Sequence, residues 1–158
     1  ISLPTETGKV TSNFNPKRVH PVTNEVKNHR GTDFEAPINT AIFSTEKGTV
    51  LSMESDTKFG GGNQIWIQNE SGSISGYSHT GSIKGMQVGD SVESGQKIGI
   101  SDGSGKHNGP HLHYTYIPGT VTNPATMNGT RSDPVKTQLK GMVRVSGRIQ
   151  SKKFEKGS

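Results

Sequence analysis

Glycine and proline interrupt this chain so often that long regular elements are ruled out over most of its length. Its 158 residues hold 21 glycines and 8 prolines, and only 27% are hydrophobic. That balance favours short strands and many turns over a helical bundle. No segment before residue 130 carries a convincing helical period of apolar residues. Residues 1–28 read mostly as turn and loop around one short strand within Gly8 to Phe14, with Asn13, Asn15 and Pro16 breaking any periodicity. Ala41 to Met53 alternates about Lys47-Gly48, which predicts a hairpin, and Ile65 to Gln68 predicts a strand buried on both faces. Trp66, between isoleucines, belongs to the core of that strand. Ile74 to His79 predicts the next strand, and Gly89 and Gly95 predict two turns that fold the chain back over short strands. Near the C-terminus, Asp133-Pro134 is a helix-start signal, with Val135 and Leu139 spaced to pack that turn on the body.

The chemistry concentrates in Gly109-Pro110-His111-Leu112-His113-Tyr114-Thr115-Tyr116-Ile117. Aromatic and β-branched residues after Pro110 predict a strand. Successive strand side chains alternate faces, so His111 and His113 share one face, while Leu112, Tyr114 and Tyr116 point to the core. Two imidazoles on one face can serve one centre, as two metal ligands or as one ligand and one acid or base. Upstream, His29-Arg30-Gly31-Thr32-Asp33 sets a His and a carboxylate four apart. They can reach one metal from a helix face or a bent loop, and Gly31 argues for the loop.

No run approaches the ~18 consecutive apolar residues of a membrane span. The absence of cysteine excludes disulfides and thiolate metal sites and leaves the compartment open. The chain opens on Ile1 with no charged-then-apolar leader, and so reads as a mature or trimmed fragment. Its net charge of +5 is unevenly placed: residues 131–158 carry eight basic side chains against Asp133 and Glu155, which leaves residues 1–130 at −1. Such a tail suits an anionic polymer or surface, or serves as a solvated linker. No aromatic interleaving or motif supports nucleic-acid binding.

These stretches, in this order and approximate spacing, resemble the zinc metallopeptidases of the lysostaphin and LytM type, peptidase family M23. The matching pieces are Arg18-Val19-His20-Pro21, His29-x-x-x-Asp33, Phe59-Gly60-Gly61-Gly62-Asn63-Gln64, Tyr77-x-His79, Gly89-x-x-Val92-x-x-Gly95-Gln96-x-Ile98-Gly99 and Gly109-Pro110-His111-x-His113. The resemblance runs from about Gly8 to Ile117, with a closing piece in Asp133-Pro134 to Leu139. Three departures fall outside the ligand positions: Phe14 to Arg18 is one residue longer than usual, Thr80 replaces a common Leu, and residues 118–130 look inserted.

The resemblance implies a mainly β fold: a compact, antiparallel β-sheet domain with few short helices and a groove holding one zinc ion per chain. It implies His29, Asp33 and His113 as zinc ligands, with His79 and His111 as the two catalytic histidines that are not ligands. His20 is not a ligand position, His107 reads as a rim residue, and Asn28 and Arg30 flank a ligand. The implied substrate is a peptide bond in bacterial peptidoglycan, in a stem-peptide cross-link or bridge, and the implied setting is secreted or periplasmic. A phage- or conjugation-associated wall-opening domain is the alternative setting. A monomer is expected, with residues 1–140 as the peptidase-like domain and 141–158 as a basic tail or linker that contacts anionic wall polymer. Two other classes compete. An inactive LytM-like module that binds or activates wall hydrolases usually lacks some of the five key residues, and all five are present here. In a lipoyl- or biotin-type carrier the lysine follows the Gly-x-x-Val-x-x-Gly run, whereas Lys47 precedes it.

Overall fold

The computed structural model describes residues 1–19, 26–56, 61–105, 109–119 and 129–145, without the side chains of 16–19, 26–28, 56 and 145. In chain order the strands are β1 (Lys9–Ser12), β2 (Asn15–Val19), β3 (Val26–His29), β4 (Thr32–Glu35), β5 (Ala41–Phe43), β6 (Gly48–Asp56) and β7 (Gly62–Asn69). There follow β8 (Ile74–Ser78), β9 (Thr80–Ser82), β10 (Ser91–Val92), β11 (Lys97–Ser101), β12 (His111–Ile117) and β13 (Arg144–Val145). Eight form one sheet in the order β10-β6-β7-β8-β12-β4-β1-β13, β5-β11-β9 form a second, and β2-β3 pair as a ribbon. All pairs are antiparallel except β1 with β13.

The main core gathers Phe34, Ile42, Ile65, Ile67, Tyr77, Ile98, Leu112, Tyr114 and Leu139, each at most 1% exposed. Burying a side chain of this kind contributes ~1.5–3 kcal/mol. β7 is buried on both faces, as its sequence predicts. Ile65 and Ile67 enter the main core, and Trp66 packs with Ile74 and Ile117 in a second cluster. On β12, Leu112 and Tyr114 are fully buried while His111 and His113 stay partly exposed, so the predicted alternation holds. Gly89 and Gly95 both take positive φ and flank β10, as the two predicted turns require.

Three expectations change. Ala41 to Met53 is not a hairpin: β5 pairs with β11 and β6 with β7, so the chain passes from one sheet to the other between them. Gly48 opens β6, where a Cβ would stand 2.4 Å from the Gln68 carbonyl oxygen, so the glycine permits close strand approach. Residues 15–19 and 26–29 are strand rather than loop, because β2 and β3 pair there. No helix forms among the described residues, and the Asp133 signal produces successive turns instead. Asp133 does cap the first turn through Oδ1 to the Val135 N–H at 2.9 Å. Its carbonyl, however, accepts the Lys136 N–H, three residues on, and the Leu139 N–H goes to the Pro134 carbonyl five residues back, so neither bond has the four-residue span of an α-helix. Val135 and Leu139 still pack on the body. The chain also stays on the body beyond residue 140: Val143 is buried and β13 extends the sheet beside β1.

Candidate metal centre

β12 lies between β4 and β8 in the large sheet, and this placement brings the chemistry together. The β4 register sets His113 opposite Asp33, and the β8 register sets it opposite Ser78, the residue before His79. His29 ends β3, and the bend through Arg30 and Gly31 returns the chain as β4, so His29 and Asp33 meet across a loop. Gly31 is required by packing: a Cβ there would stand 2.5 Å from His113 Nε2 and 2.7 Å from the Tyr114 carbonyl oxygen.

One nitrogen from each of His29 and His113 and one Asp33 oxygen lie within 4.8 Å of one another. Asp33 Oδ1 is 2.9 Å from His113 Nδ1 and 3.2 Å from His29 Nε2. His111 Nε2 stands at 3.6 Å from the same oxygen. Burial pushes the Asp33 carboxyl up, but hydrogen bonds and charge interactions with His113 and His29 outweigh it and hold the group well below the usual carboxylate range. Asp33 is therefore an anion between two imidazoles at neutral pH. Two imidazoles and one carboxylate form a donor set that suits zinc and leaves a fourth position open.

Backbone carbonyls decide the tautomers of three rings, since a carbonyl only accepts. His29 Nδ1 donates to the Asn13 oxygen at 2.7 Å, which turns Nε2 towards Asp33 as the nitrogen that a metal would take. His79 Nδ1 donates to the Ser104 oxygen at 2.6 Å, and His111 Nδ1 to the Gly109 oxygen at 2.9 Å. The His79 and His111 rings meet edge to face with centroids 4.7 Å apart, and His79 is 6.5 Å from His113. His79 is the corner at which the chain leaves β8 for β9 in the other sheet, and it has φ of 61°. Left-handed backbone at a side-chain-bearing residue costs about 1–2 kcal/mol. The corner is tied by the Thr80 hydroxyl, which donates to the Ser78 carbonyl across His79 at 3.1 Å.

All five histidine and aspartate positions singled out in the sequence thus occupy one locality. Arg30 is exposed, while His20, His107 and the Asn28 side chain lie outside the described residues. Sequence reasoning did not single out the Asn13 and Ser104 carbonyls, because backbone acceptors leave no residue-type signal. It also passed over Asp102, whose carboxylate accepts from Asn63 and Ser104.

An antiparallel β scaffold holding this donor set is suited to bind a single metal ion. The chain belongs to peptidase family M23, whose profile matches residues 27–134. Along its full length it is 35% identical to the peptidoglycan DD-endopeptidase ShyC of Vibrio cholerae, of which it covers 36%. It is 38% identical to ShyA of the same organism over 69% of the chain and 25% of that protein. The chain therefore spans only about a quarter to a third of these curated relatives. Among solved structures, a zinc-containing peptidase from Vibrio cholerae is 39% identical with a TM-score of 0.61, over 68% of this chain and 32% of that one. The catalytic domain of lysostaphin from Staphylococcus simulans is 28% identical with a TM-score of 0.62, over 78% of this chain and 86% of that one.

Proposed function

We propose that this chain is a zinc metalloendopeptidase domain that hydrolyses peptide bonds in the stem-peptide cross-links or bridges of bacterial peptidoglycan. The observation that carries this reading is the convergence of His29, Asp33 and His113 within a family M23 domain, with His79 and His111 beside them. In this reading the first three residues hold one zinc ion, and the last two act on the substrate. When bound, zinc supplies Lewis acidity, polarising a carbonyl and making water a nucleophile near neutral pH.

The side chains do the rest. Asp33 supplies the one negative charge among three ligands, so a zinc ion held there would keep a net positive charge. The Asn13 carbonyl orients His29 and keeps its Nε2 lone pair free for the metal. His79 and His111 each carry a proton on Nδ1 and present an unprotonated Nε2 in the neutral ring. One accepts a proton from the attacking water and returns it to the leaving amine, while the other, once protonated, stabilises the developing oxyanion. A substrate in the wall places the domain outside the cytoplasm, secreted or periplasmic. No helix among the described residues is long and apolar enough to cross a membrane.

The test is metal analysis beside cleavage of purified muropeptide dimers. The wild type should hold about one zinc per chain and lose activity to a chelator. His113→Ala should lose both metal and activity. His79→Ala and His111→Ala should keep zinc and the fold while losing ~10²–10⁴ in turnover. A metal-free preparation with full activity refutes the reading, and loss of zinc from His111→Ala refutes the division of roles.

A further inference from the structure

Beside the histidine cluster lies a polar network with no part in the chemistry so far. Asp102 follows β11 and opens the glycine-rich loop before β12. One carboxylate oxygen accepts from Asn63 Nδ2 at 2.7 Å, and the other accepts from the Ser104 N–H at 2.9 Å and the Ser104 hydroxyl at 2.5 Å. The Ser104 hydroxyl oxygen in turn accepts from the Asn63 N–H at 2.8 Å. Strand β7 and the loop are thereby locked together, and the fit is tight, since a Cβ on Gly62 would stand 2.4 Å from the Ser104 carbonyl carbon. The outputs of this lock all fall on one residue. The Asp102 N–H donates to the His79 carbonyl at 3.1 Å, the Gly61 carbonyl accepts from the His79 N–H at 3.0 Å, and the Ser104 carbonyl accepts from His79 Nδ1.

We propose that Asp102, with Asn63, is a positioning residue for His79: it holds the loop so that the Ser104 carbonyl keeps the ring in its Nδ1–H tautomer, with Nε2 as the proton acceptor. The inference rests on the reading of His79 as a proton-transfer residue. Position along the chain supports it, because His79 sits at a left-handed corner between β8 and β9, where the chain crosses from one sheet to the other. Three contacts from the flanking segments hold it there. A carboxylate is well suited to the task, because it accepts all three side-chain and backbone donors at once.

The experiment uses the zinc-loaded full chain, with muropeptide-dimer kinetics and ¹⁵N–¹H correlation NMR of the His79 ring. Asp102→Ala should lower kcat roughly ten- to a hundredfold, with zinc content and KM unchanged, as expected for a misplaced catalytic group. Its His79 ring should show mixed tautomers where the wild type shows Nδ1–H alone. Asn63→Asp should behave like Asp102→Ala, because it faces carboxylate with carboxylate, whereas Asp102→Asn should be milder, because the Asn63 amide can turn its Oδ1 to accept from the new amide. The double variant Asn63→Asp/Asp102→Asn re-forms the amide–carboxylate pair in reverse and should recover the tautomer and most of kcat. It carries the test if Asp102→Ala does not fold. A single Nδ1–H tautomer and wild-type kcat in Asp102→Ala, or no recovery in the double variant, overturn the proposal. Should His79→Ala prove fully active, the reading of His79 as catalytic fails, and the tautomer alone then decides whether Asp102 positions the ring.

Discussion

Gly31 is a single hydrogen atom in place of a side chain, yet it bears on the metal site through His113. The atoms that a Cβ would meet are the His113 ring and the Tyr114 backbone, and the backbone is fixed by pairing of β12 with β4. The ring is the part that must give. Gly31→Ala should therefore weaken zinc binding by about 10–100-fold, the range seen when groups that orient metal ligands are lost. Competition with a chromophoric chelator measures it, and wild-type affinity would show that the ring has room to yield. Asp102 makes a pH prediction. Burial pushes its carboxyl up, but hydrogen bonds from Asn63 and Ser104 more than offset this and hold it below the ordinary carboxylate value. A carboxyl depressed in the folded state contributes stability above its unfolded pKa of ~3.9 and loses it as pH falls through the folded value. In urea titrations of zinc-free protein, Asp102→Ala should be less stable than wild type at pH 6–8. The gap should close progressively below about pH 4. A gap independent of pH would mean that the carboxylate charge does not enter.

At the scale of elements, β12 shows how far sequence reading reaches. The two-residue alternation of His111, Leu112, His113 and Tyr114 foretells both faces, because a strand's period is set by its own backbone. The same logic reads β7 and β8 correctly. It fails between Ala41 and Met53, where alternation is identical whether two strands pair with each other or leave for different sheets. Only distant partners, β11 and β7, decide the matter. The Asp133 turn fails for a related reason: its cap is local and legible, but the spans of the backbone bonds that follow, from Lys136 to Asp133 and from Leu139 to Pro134, are set where Val135 and Leu139 pack on the body. Tyr114 illustrates a part of the site's support with no sequence signature. Its hydroxyl, fully buried behind the histidines, meets Ser75 at 2.8 Å and Thr45 at 2.9 Å and donates to Gln138 Oε1 at 2.5 Å. This joins β12, β8, the β5–β6 crossing and the C-terminal turns. Tyr114→Phe should destabilise the protein by ~1–3 kcal/mol, since buried partners lose a hydrogen bond without gaining water. Zinc content should be unchanged, because the hydroxyl faces away from the donors. Denaturant unfolding with metal analysis on one sample checks both halves.

Across the whole molecule, charge and fold divide the chain at different places. A boundary at residue 140 would remove Val143 from the core and β13 from the sheet edge, so we propose that the folded domain runs through Val145. Residues 146–158 then hold Arg148, Lys152, Lys153 and Lys156 against Glu155, and deleting them lowers the net charge from +5 to +2. His29, Asp33, His79, His111 and His113 all precede this segment in the sequence, so a chain shortened to 1–145 should cleave a soluble muropeptide dimer at a near-normal rate. A chain shortened to 1–140 should be less stable, because it loses buried apolar surface as well as charge. On intact walls bearing anionic polymer, 1–145 should bind less than the full chain at low salt. The Debye length falls to ~10 Å at 0.1 M salt and ~3 Å at 1 M, so the two should converge as salt rises. Wall pull-down across that series, beside soluble turnover, separates attachment from chemistry. Equal wall binding at low salt would make the basic segment a linker, and a fall in soluble turnover on its removal would place part of it at the active site.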